Sequence, residues 1–366
     1  MAMLDGYSSA ATHAAPIDLT RARRVLAIKL SSFGDIVHVT PCVRALRQAC
    51  PNAELLVVTD RTWASLFRSD PHVDDVIAAD PARLRFPSSF IGARRALAAR
   101  RGPRFDLAID FQGRPRSAAW VYASQARYRV GRGGFRPGWH KVIRPDTQRH
   151  AVQVCAEIAR HAGIAVPDLG PRLFCSEASD RAVEAKLRKA EAPLRGFILA
   201  NPFGRWPSKV WPPERWAVLI RQIRSELGLP VVVSGGPGEE HQADRLLALL
   251  APSPPPSMVG QTTLEEAICL YRRALLAVSG DSGPMHAAVA VETPVVALFG
   301  PTWPEQTGPW GASHRVLQVS RAAFHHAYPD DAERRHVEAI DVGTVLAQVR
   351  SVSRIRRDEH MRAQLG

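Results

Sequence analysis

Cysteine is scarce in this chain and is spaced for neither of its usual structural uses. The five residues, Cys42, Cys50, Cys155, Cys175 and Cys269, form no CxxC pair and no metal-ligand spacing. Neither a zinc site nor a disulfide framework is therefore expected, and a reducing cytoplasm is the natural home. Long apolar runs are missing as well: no segment reaches the roughly 18 unbroken apolar residues that a membrane span needs. The first twenty residues, with Asp5, His13 and Asp18 among them, lack the apolar core of a signal peptide and read as a flexible arm. No recognition-helix, zinc-finger or single-strand-binding signature is present, which argues against nucleic acid as the partner.

What the chain does have is length and a lopsided charge. Its 366 residues, 46% of them hydrophobic, exceed one comfortable core and predict about two domains. Of the net charge of +13, residues 1–178 carry +11 (26 Lys and Arg against 15 Asp and Glu), and residues 179–366 carry +2 (22 against 20). Residues 81–150 alone hold 16 basic and 3 acidic side chains, among them Arg83, Arg85, Arg94, Arg95, Arg114, Arg116, Arg132, Arg136 and Lys141. Such a field attracts an anionic partner; the alternative is an arginine-heavy solvated surface.

Short runs rich in Val, Ile and Leu alternate with helical stretches, the pattern of a parallel sheet covered by helices on both faces. The pattern occurs twice. The first set is VLAIKL (25–30), ELLVVTD (54–60), DVIAAD (75–80), DLAIDF (106–111) and YRVG (128–131). The second is GFILANPF (196–203), PVVVSGG (230–236), LLAVSGD (275–281), PVVALFG (294–300) and HRVLQV (314–319). A helical stretch at 148–162 and a charged helix near 179–190 form the crossover. The expected divisions are a flexible arm at 1–22, domains at 23–178 and 179–350, and a basic helical tail at 351–366. The proline-rich APSPPPS (251–257) is a loop inside the second domain.

Ligands of open parallel sheets bind beyond the carboxyl ends of the strands, so two such domains define a cleft lined by the turns that follow their strands. In GDSGPMHAA (280–288) a strand, a tight turn and a helix start are implied. There the N–H groups of Ser282 and Gly283 point outward with the positive end of the helix dipole, a ready phosphate site. Asp281 and His286 either cap this helix and satisfy a buried carbonyl or serve a ligand. In the first domain SSFGD places Asp35 behind Ser31, Ser32 and Gly34 at a helix start, as a capping group or, kept ionised by the dipole, as a general base. FQGRPR follows another strand of that domain. From the second domain NPFGRWPSK offers Lys209 as a cation, and SGGPGEE offers Glu239 or Glu240 as acceptors for sugar hydroxyls. An acid in one half and phosphate ligands in the other point to transfer between two substrates.

These marks stand in one order: VLAIKLSSFGDIVHVTP, DFQG (110–113), KVWPPERW (209–216), GGPGEE (235–240), and GDSGPMHAA followed by LFGPTWP. From about residue 24 to about 350 the chain resembles glycosyltransferase family 9, the lipopolysaccharide heptosyltransferases. The resemblance implies the α/β GT-B architecture, two Rossmann-like doubly wound parallel-sheet domains facing a central cleft, the first binding acceptor and the second the nucleotide-sugar donor. It further implies inverting transfer of heptose from ADP-L-glycero-D-manno-heptose to the anionic inner core of lipopolysaccharide. Asp35 would be the catalytic base and Lys209 would contact the donor phosphates. Glu239 would meet the ribose, and Asp281, Ser282 and Gly283 would hold donor sugar and diphosphate, with His286 supporting the turn. Ser32, Gly34, Gln112, Arg94, Arg95, Arg114 and Arg116 are the acceptor-side candidates, the arginines being able to pair carboxylate or phosphate bidentately. No DxD-like acidic site lies near the donor segments, so neither a metal nor a cofactor is expected. The implied location is cytoplasmic, with peripheral contact of the basic tail at the inner membrane face as a further expectation.

The chain departs from the family pattern in two places. RAAFHHAYPDDAERRHVEAI, after the last strand, lacks the cysteine that many relatives carry there, and His325, His326 and His336 read as exposed side chains in a charged loop. NPFGRWPS carries a Trp and a Pro where small and hydroxyl-bearing residues are expected of the first heptosyltransferase, which bears on donor identity and not on donor class. Two other functions fit the pattern. One is a family member acting on a protein or a secondary metabolite. The other is a catalytically silent sugar-nucleotide-binding module, which would have no use for a carboxylate at Asp35.

Overall fold

The computed structural model describes residues 17–80, 88–100, 102–134, 137–318 and 335–365. Two compact units result, one running to Thr147 and taking in Val152–Leu169, the other made of Gln148–Ala151 and the chain from Gly170 onward. The division falls ahead of the expected boundary at 178 because the segment after Gly170 is tied to the second unit. Leu173 donates its N–H to the Ala290 carbonyl at 2.9 Å, Arg172 pairs with Glu292 at 2.7 Å, and a disulfide joins Cys175 to Cys269.

The first unit contains β1 (Arg24–Ile28), α1 (Phe33–Ala49), β2 (Glu54–Asp60), α2 (Ser65–Arg68), β3 (Asp75–Ala79), α3 (Ser88–Ala98), β4 (Leu107–Asp110), α4 (Pro115–Ser124), β5 (Tyr128–Arg132), β6 (Lys141–Ile143) and α5 (Ala151–His161). Its strands are parallel in the order β3-β2-β1-β4-β5-β6, which is the classic dinucleotide-fold order. All five residues of β1 are buried, as expected of a strand covered on both faces. The sixth strand was not expected from sequence, since two of its three residues are exposed and carry no core pattern.

The second unit contains α6 (Glu177–Lys189), β7 (Ile198–Asn201), α7 (Pro213–Glu226), β8 (Val231–Val233), α8 (Glu240–Ala248), α9 (Leu264–Arg273), β9 (Leu276–Gly280), α10 (Gly283–Ala290), β10 (Val295–Leu298), α11 (Pro304–Thr307), β11 (Arg315–Leu317), α12 (Arg335–Glu338) and α13 (Val342–Leu365). The parallel order is β8-β7-β9-β10-β11, the other common doubly wound arrangement. Residues 351–365 are not a separate tail: they continue α13, whose Val345, Leu346, Val349 and Val352 are buried in the core of this unit. Among the described residues no helix is long and apolar enough to cross a membrane.

The disulfide corrects the expectation drawn from cysteine spacing. Cys175 and Cys269 are 94 positions apart, and the packing of α6 on α9 brings them together; a single bridge closed by tertiary contact leaves no local motif. Cys42, Cys50 and Cys155 are free and buried.

Two packing details set the turns that matter below. Asp110, fully buried at the end of β4, accepts the N–H groups of Gln112 and Gly113 at 2.9 and 3.1 Å on one oxygen and the Ser117 hydroxyl at 2.8 Å on the other. In the second unit, Gly280 ends β9 and Gly300 follows β10. A methyl group on either would lie 2.7 Å from the carbonyl oxygen of Lys209 or Ser208, respectively, so only glycine lets the 3-10 turn Pro207–Lys209 settle against both strand ends.

Burial pushes the Asp110 carboxyl up to about 6. Its native form therefore holds the proton more tightly than the unfolded chain, and its contribution to stability is lost as pH rises from about 4 through about 6. Asp110→Asn lacks that titration. Urea melts are expected to show its stability relative to wild type improving over that window by on the order of 1–3 kcal/mol and levelling off above it. A difference independent of pH would mean that Asp110 does not titrate there. Gly280→Ala is expected to cost about 1–3 kcal/mol by overpacking, and an unchanged denaturation midpoint would show that the 207–209 turn yields freely.

Candidate functional site

In each sheet the strand order reverses once, between β1 and β4 in the first unit and between β7 and β9 in the second. Turns leaving neighbouring strands at such a point diverge and leave a crevice at the carboxyl edge. The predicted chemistry gathers at these two points.

In the first unit the turn after β1 carries Lys29, Ser32 and Asp35. Asp35 lies in the first turn of α1 and reaches back to Ser32, whose N–H and hydroxyl donate to its Oδ2 at 3.0 and 3.1 Å. Lys29 Nζ donates to Oδ1 at 3.3 Å from a site only 5% exposed, while the Asp35 side chain is 46% exposed. Burial works to raise the Asp35 carboxyl, but the Lys29 ammonium and the Ser32 donors outweigh it and hold the group below the ordinary carboxylate range. Asp35 is thus both a helix-capping group and a solvent-facing anion, so the two sequence readings are compatible. The turn after β4 closes on the same place: Gln112 Oε1 accepts the N–H groups of Leu30 and Ser31 at 3.1 and 3.2 Å.

The other acceptor-side candidates divide. Arg114 is exposed at the start of α4, beside this turn. Arg116 is ion-paired to Asp60 at the end of β2 and is mostly buried. Arg94 and Arg95 lie on the exposed side of α3, with Arg94 donating to the Ala123 carbonyl at 3.5 Å. Arg83, Arg85 and Arg136 fall outside the described residues, as do His325 and His326, and the side chain of His336 is not described either.

In the second unit Lys209 and Asp281, which follow β7 and β9, meet directly: Lys209 Nζ lies 2.6 Å from Asp281 Oδ2. Thr302 Oγ1, beyond β10, donates to the same oxygen at 2.6 Å. Asp281 is 7% exposed and His286 8%. Ser282 is the N-cap of α10 but its hydroxyl does not cap it; that hydroxyl lies 3.4 Å from the Gly280 carbonyl. Pro284 has no N–H and Met285 donates to the Ser282 carbonyl at 3.2 Å, so the outward donors of this helix are the N–H groups of Ser282 and Gly283, with the positive end of the dipole behind them. Glu239, at the start of α8, accepts the Gly236 N–H on Oε2 at 2.7 Å, and burial raises its carboxyl.

Sequence reasoning missed Lys29 and Thr302. Each was marked only by a polar residue standing just past an apolar strand run, and their partners, 6 and 21 positions away, become visible once the strands are placed. Among the described residues, Cys175, Asp180 and Cys269 form a cluster of metal-ligand types. The two sulfurs are bonded to each other and both oxygens of Asp180 are held by Arg273 at 2.9 and 2.8 Å, so that cluster presents no open ligand set.

The chain is similar to known proteins over most of its length. The family model described as glycosyltransferase family 9 (heptosyltransferase) matches residues 94–333. Lipopolysaccharide heptosyltransferase 2 of Salmonella typhimurium is 29% identical over 335 residues, which cover 87% of this chain and 94% of that protein. The crystal structure of a family 9 glycosyl transferase from Veillonella parvula matches with a TM-score of 0.81 at 23% identity, over 93% of this chain and 99% of that one. The structure of Escherichia coli ADP-heptose lipopolysaccharide heptosyltransferase II matches with a TM-score of 0.75 at 23% identity, over 91% and 99%. The fold of the two units is that of the GT-B glycosyltransferases. A match across well over half of the sequence, together with this fold, places the chain in glycosyltransferase family 9 as a glycosyltransferase.

Proposed function

We propose that the protein transfers heptose from ADP-L-glycero-D-manno-heptose to the anionic inner core of lipopolysaccharide, with inversion at the anomeric carbon and without a metal ion. The observation that carries this reading is the pairing of Lys209 with Asp281 beside the free end of α10, a cation and helix donors where a diphosphate would leave. The similarity to a lipopolysaccharide heptosyltransferase 2 and to an ADP-heptose lipopolysaccharide heptosyltransferase II supports the donor and acceptor classes.

Displacement of ADP requires an acceptor oxygen that gains electron density and a diphosphate that gains charge. Asp35 takes the proton from the acceptor hydroxyl, a role its ionised, exposed carboxylate suits. Lys209 and the N–H groups of Ser282 and Gly283 meet the departing negative charge. Asp281 and Thr302 orient Lys209 for the phosphates, and the free oxygen of Glu239 meets a ribose hydroxyl. Direct attack by the acceptor inverts the anomeric centre. On the acceptor side Ser32, Gly34 and the amide of Gln112 line the base, and Arg94, Arg95 and Arg114 meet carboxylate or phosphate. Arg354, Arg356 and Arg357, exposed on α13 beside the 48% exposed Ile355, suit peripheral contact with anionic lipid at a cytoplasmic membrane face. A protein or secondary-metabolite acceptor is the second reading. It is favoured by the commitment of Arg100, Arg116 and Arg127 to protein carboxylates, which shrinks the basic field available to an anionic acceptor.

Mass spectrometry of the purified protein with ADP-heptose and a panel of truncated core oligosaccharides tests the reading. Heptosyl addition that survives EDTA is expected. Addition to no core acceptor would favour the second reading, and activity abolished by EDTA and restored by magnesium would overturn metal independence. Asp35→Asn is expected to keep ADP affinity in calorimetry while turnover falls about a hundredfold or more; near-normal turnover would remove Asp35 from the mechanism.

A further inference from the structure

We infer that Lys29 is a positioning residue for Asp35: its buried ammonium holds the carboxylate as an oriented anion and leaves one oxygen edge for the acceptor hydroxyl. The inference rests on the proposal that Asp35 is the general base.

A helix cap alone has no need of Lys29. The capping interaction uses only Oδ2, which receives both donors of Ser32. Lys29 instead approaches Oδ1 at 3.3 Å, from a residue 4% exposed at the end of β1, and its own backbone is fixed by donation of its N–H to the Val58 carbonyl at 3.0 Å. A carboxylate offers about four lone-pair sites; Lys29 and Ser32 supply three donors to Asp35, and the side chain stays 46% exposed. The segment between Lys29 and Asp35 is held as well, because Gln112 Oε1 takes the N–H groups of Leu30 and Ser31. Both ends of the carboxylate are therefore constrained by groups that stay in place when the acceptor is exchanged.

The cost of the arrangement also indicates a use. Burying an ammonium costs desolvation, and a buried ion pair as a whole is often replaceable by apolar residues of similar volume, so an ammonium kept at this place is not explained by stability alone. The charged and titratable groups packed around it come from several elements. Asp110, from β4, lies across the β1–β4 pairing and feels the Lys29 charge. Cys155, from α5, feels Lys29, Asp35 and Arg132 of β5, and its thiol is pushed up to about 11 by burial, so it stays neutral. Cys42, from α1, lies near Cys155 and is likewise held neutral by burial. Among the described residues Lys29 thus acts on two carboxylates, Asp35 and Asp110, and on the thiol of Cys155, which Arg132 also reaches. When Asp35 accepts the proton of the acceptor hydroxyl, Asp110 is the carboxylate that continues to balance the ammonium.

Lys29→Met, close in volume and without charge, separates positioning from mere packing. Its ADP affinity is expected to match wild type, because the change lies in the first unit, and its thermal melt is expected to fall, because the buried Asp110 loses a counter-charge. Removing the cation leaves burial to raise the Asp35 carboxyl, so turnover is expected to acquire an acid limb: about tenfold or more below wild type at pH 6, with the deficit closing as pH rises toward 9. Lys29→Arg is expected to recover much of the loss at pH 6. A loss of the same size at every pH, or no loss, overturns the inference. Should Lys29→Met fail to fold, 13C NMR of the wild-type carboxyls, with Asp35 assigned by its absence in Asp35→Asn, decides the matter. Asp35 is expected to stay ionised below the ordinary aspartate range, and titration at or above that range overturns the inference. The two readings fail separately: full turnover in Asp35→Asn removes the general base and this inference with it, whereas an inactive Asp35→Asn beside a Lys29→Met profile parallel to wild type removes only the role of Lys29.

Discussion

The reversal of strand order within each sheet is the constraint on which the turns at the carboxyl edge of each unit depend. From β1 the chain passes through α1 to β2 on one side, and from β4 through α4 to β5 on the other, so the two turns separate and neither helix fills the space between them. Strand pairing then does the placing. Ile28 is in register with Asp110, which puts Lys29 and the Asp35 turn next to the Gln112 turn. Asn201 is in register with Ser279, which puts the loop bearing Lys209 next to Asp281. Residues 72 positions apart in sequence meet at 2.6 Å because their strands are neighbours, and the glycines at 280 and 300 admit the turn that carries the lysine.

The same constraint explains what could be read from sequence. Strands covered on both faces are uninterrupted apolar runs, so ten of the eleven described strands match the expected runs to within one residue, and β6, a short edge piece with two exposed residues, does not. Glycine-rich turns with one carboxylate or one lysine mark Asp35, Lys209 and Asp281, since those positions break an apolar pattern. What sequence could not supply is adjacency. Thr302 is an ordinary threonine until the β9–β10 pairing sets it against Asp281, and Cys175 and Cys269 belong to no motif until α6 packs on α9. The division at Gly170, a little ahead of 178, has the same cause, because the ties of residues 172–175 to the second unit are all long-range.

Charge is where composition misleads most. The excess in residues 81–150 reads as a field awaiting an anion, yet much of it is engaged within the protein. Arg100 pairs with Asp75 and Arg116 with Asp60. Arg129 donates to the Ala126 and Gly138 carbonyls at 3.0 and 3.2 Å. Arginine is suited to this use, since its planar fork serves several carbonyls at once. Among the described residues of that segment, Arg114 at the rim of the Asp35 turn, Arg94 and Arg95 on α3, and Lys141 and Arg144 are exposed.

The two aspartates at the β1–β4 edge show how one environment can set two protonation behaviours. Burial acts to raise both carboxyls. Asp110 is surrounded by neutral donors, namely two backbone N–H groups and the Ser117 hydroxyl, and receives the Lys29 charge only from a distance, so burial prevails and the group is raised to about 6. Asp35 receives the ammonium directly, and there the charge prevails. Pairs of titratable groups driven apart in this way are the mark of sites that assign different tasks to like residues. Asp110 has its oxygens filled and organises the turn that bears Gln112, whereas Asp35 keeps an open edge toward solvent. Their difference follows from the direct Lys29 contact and the Ser32 donors at Asp35 and from the complete burial of Asp110.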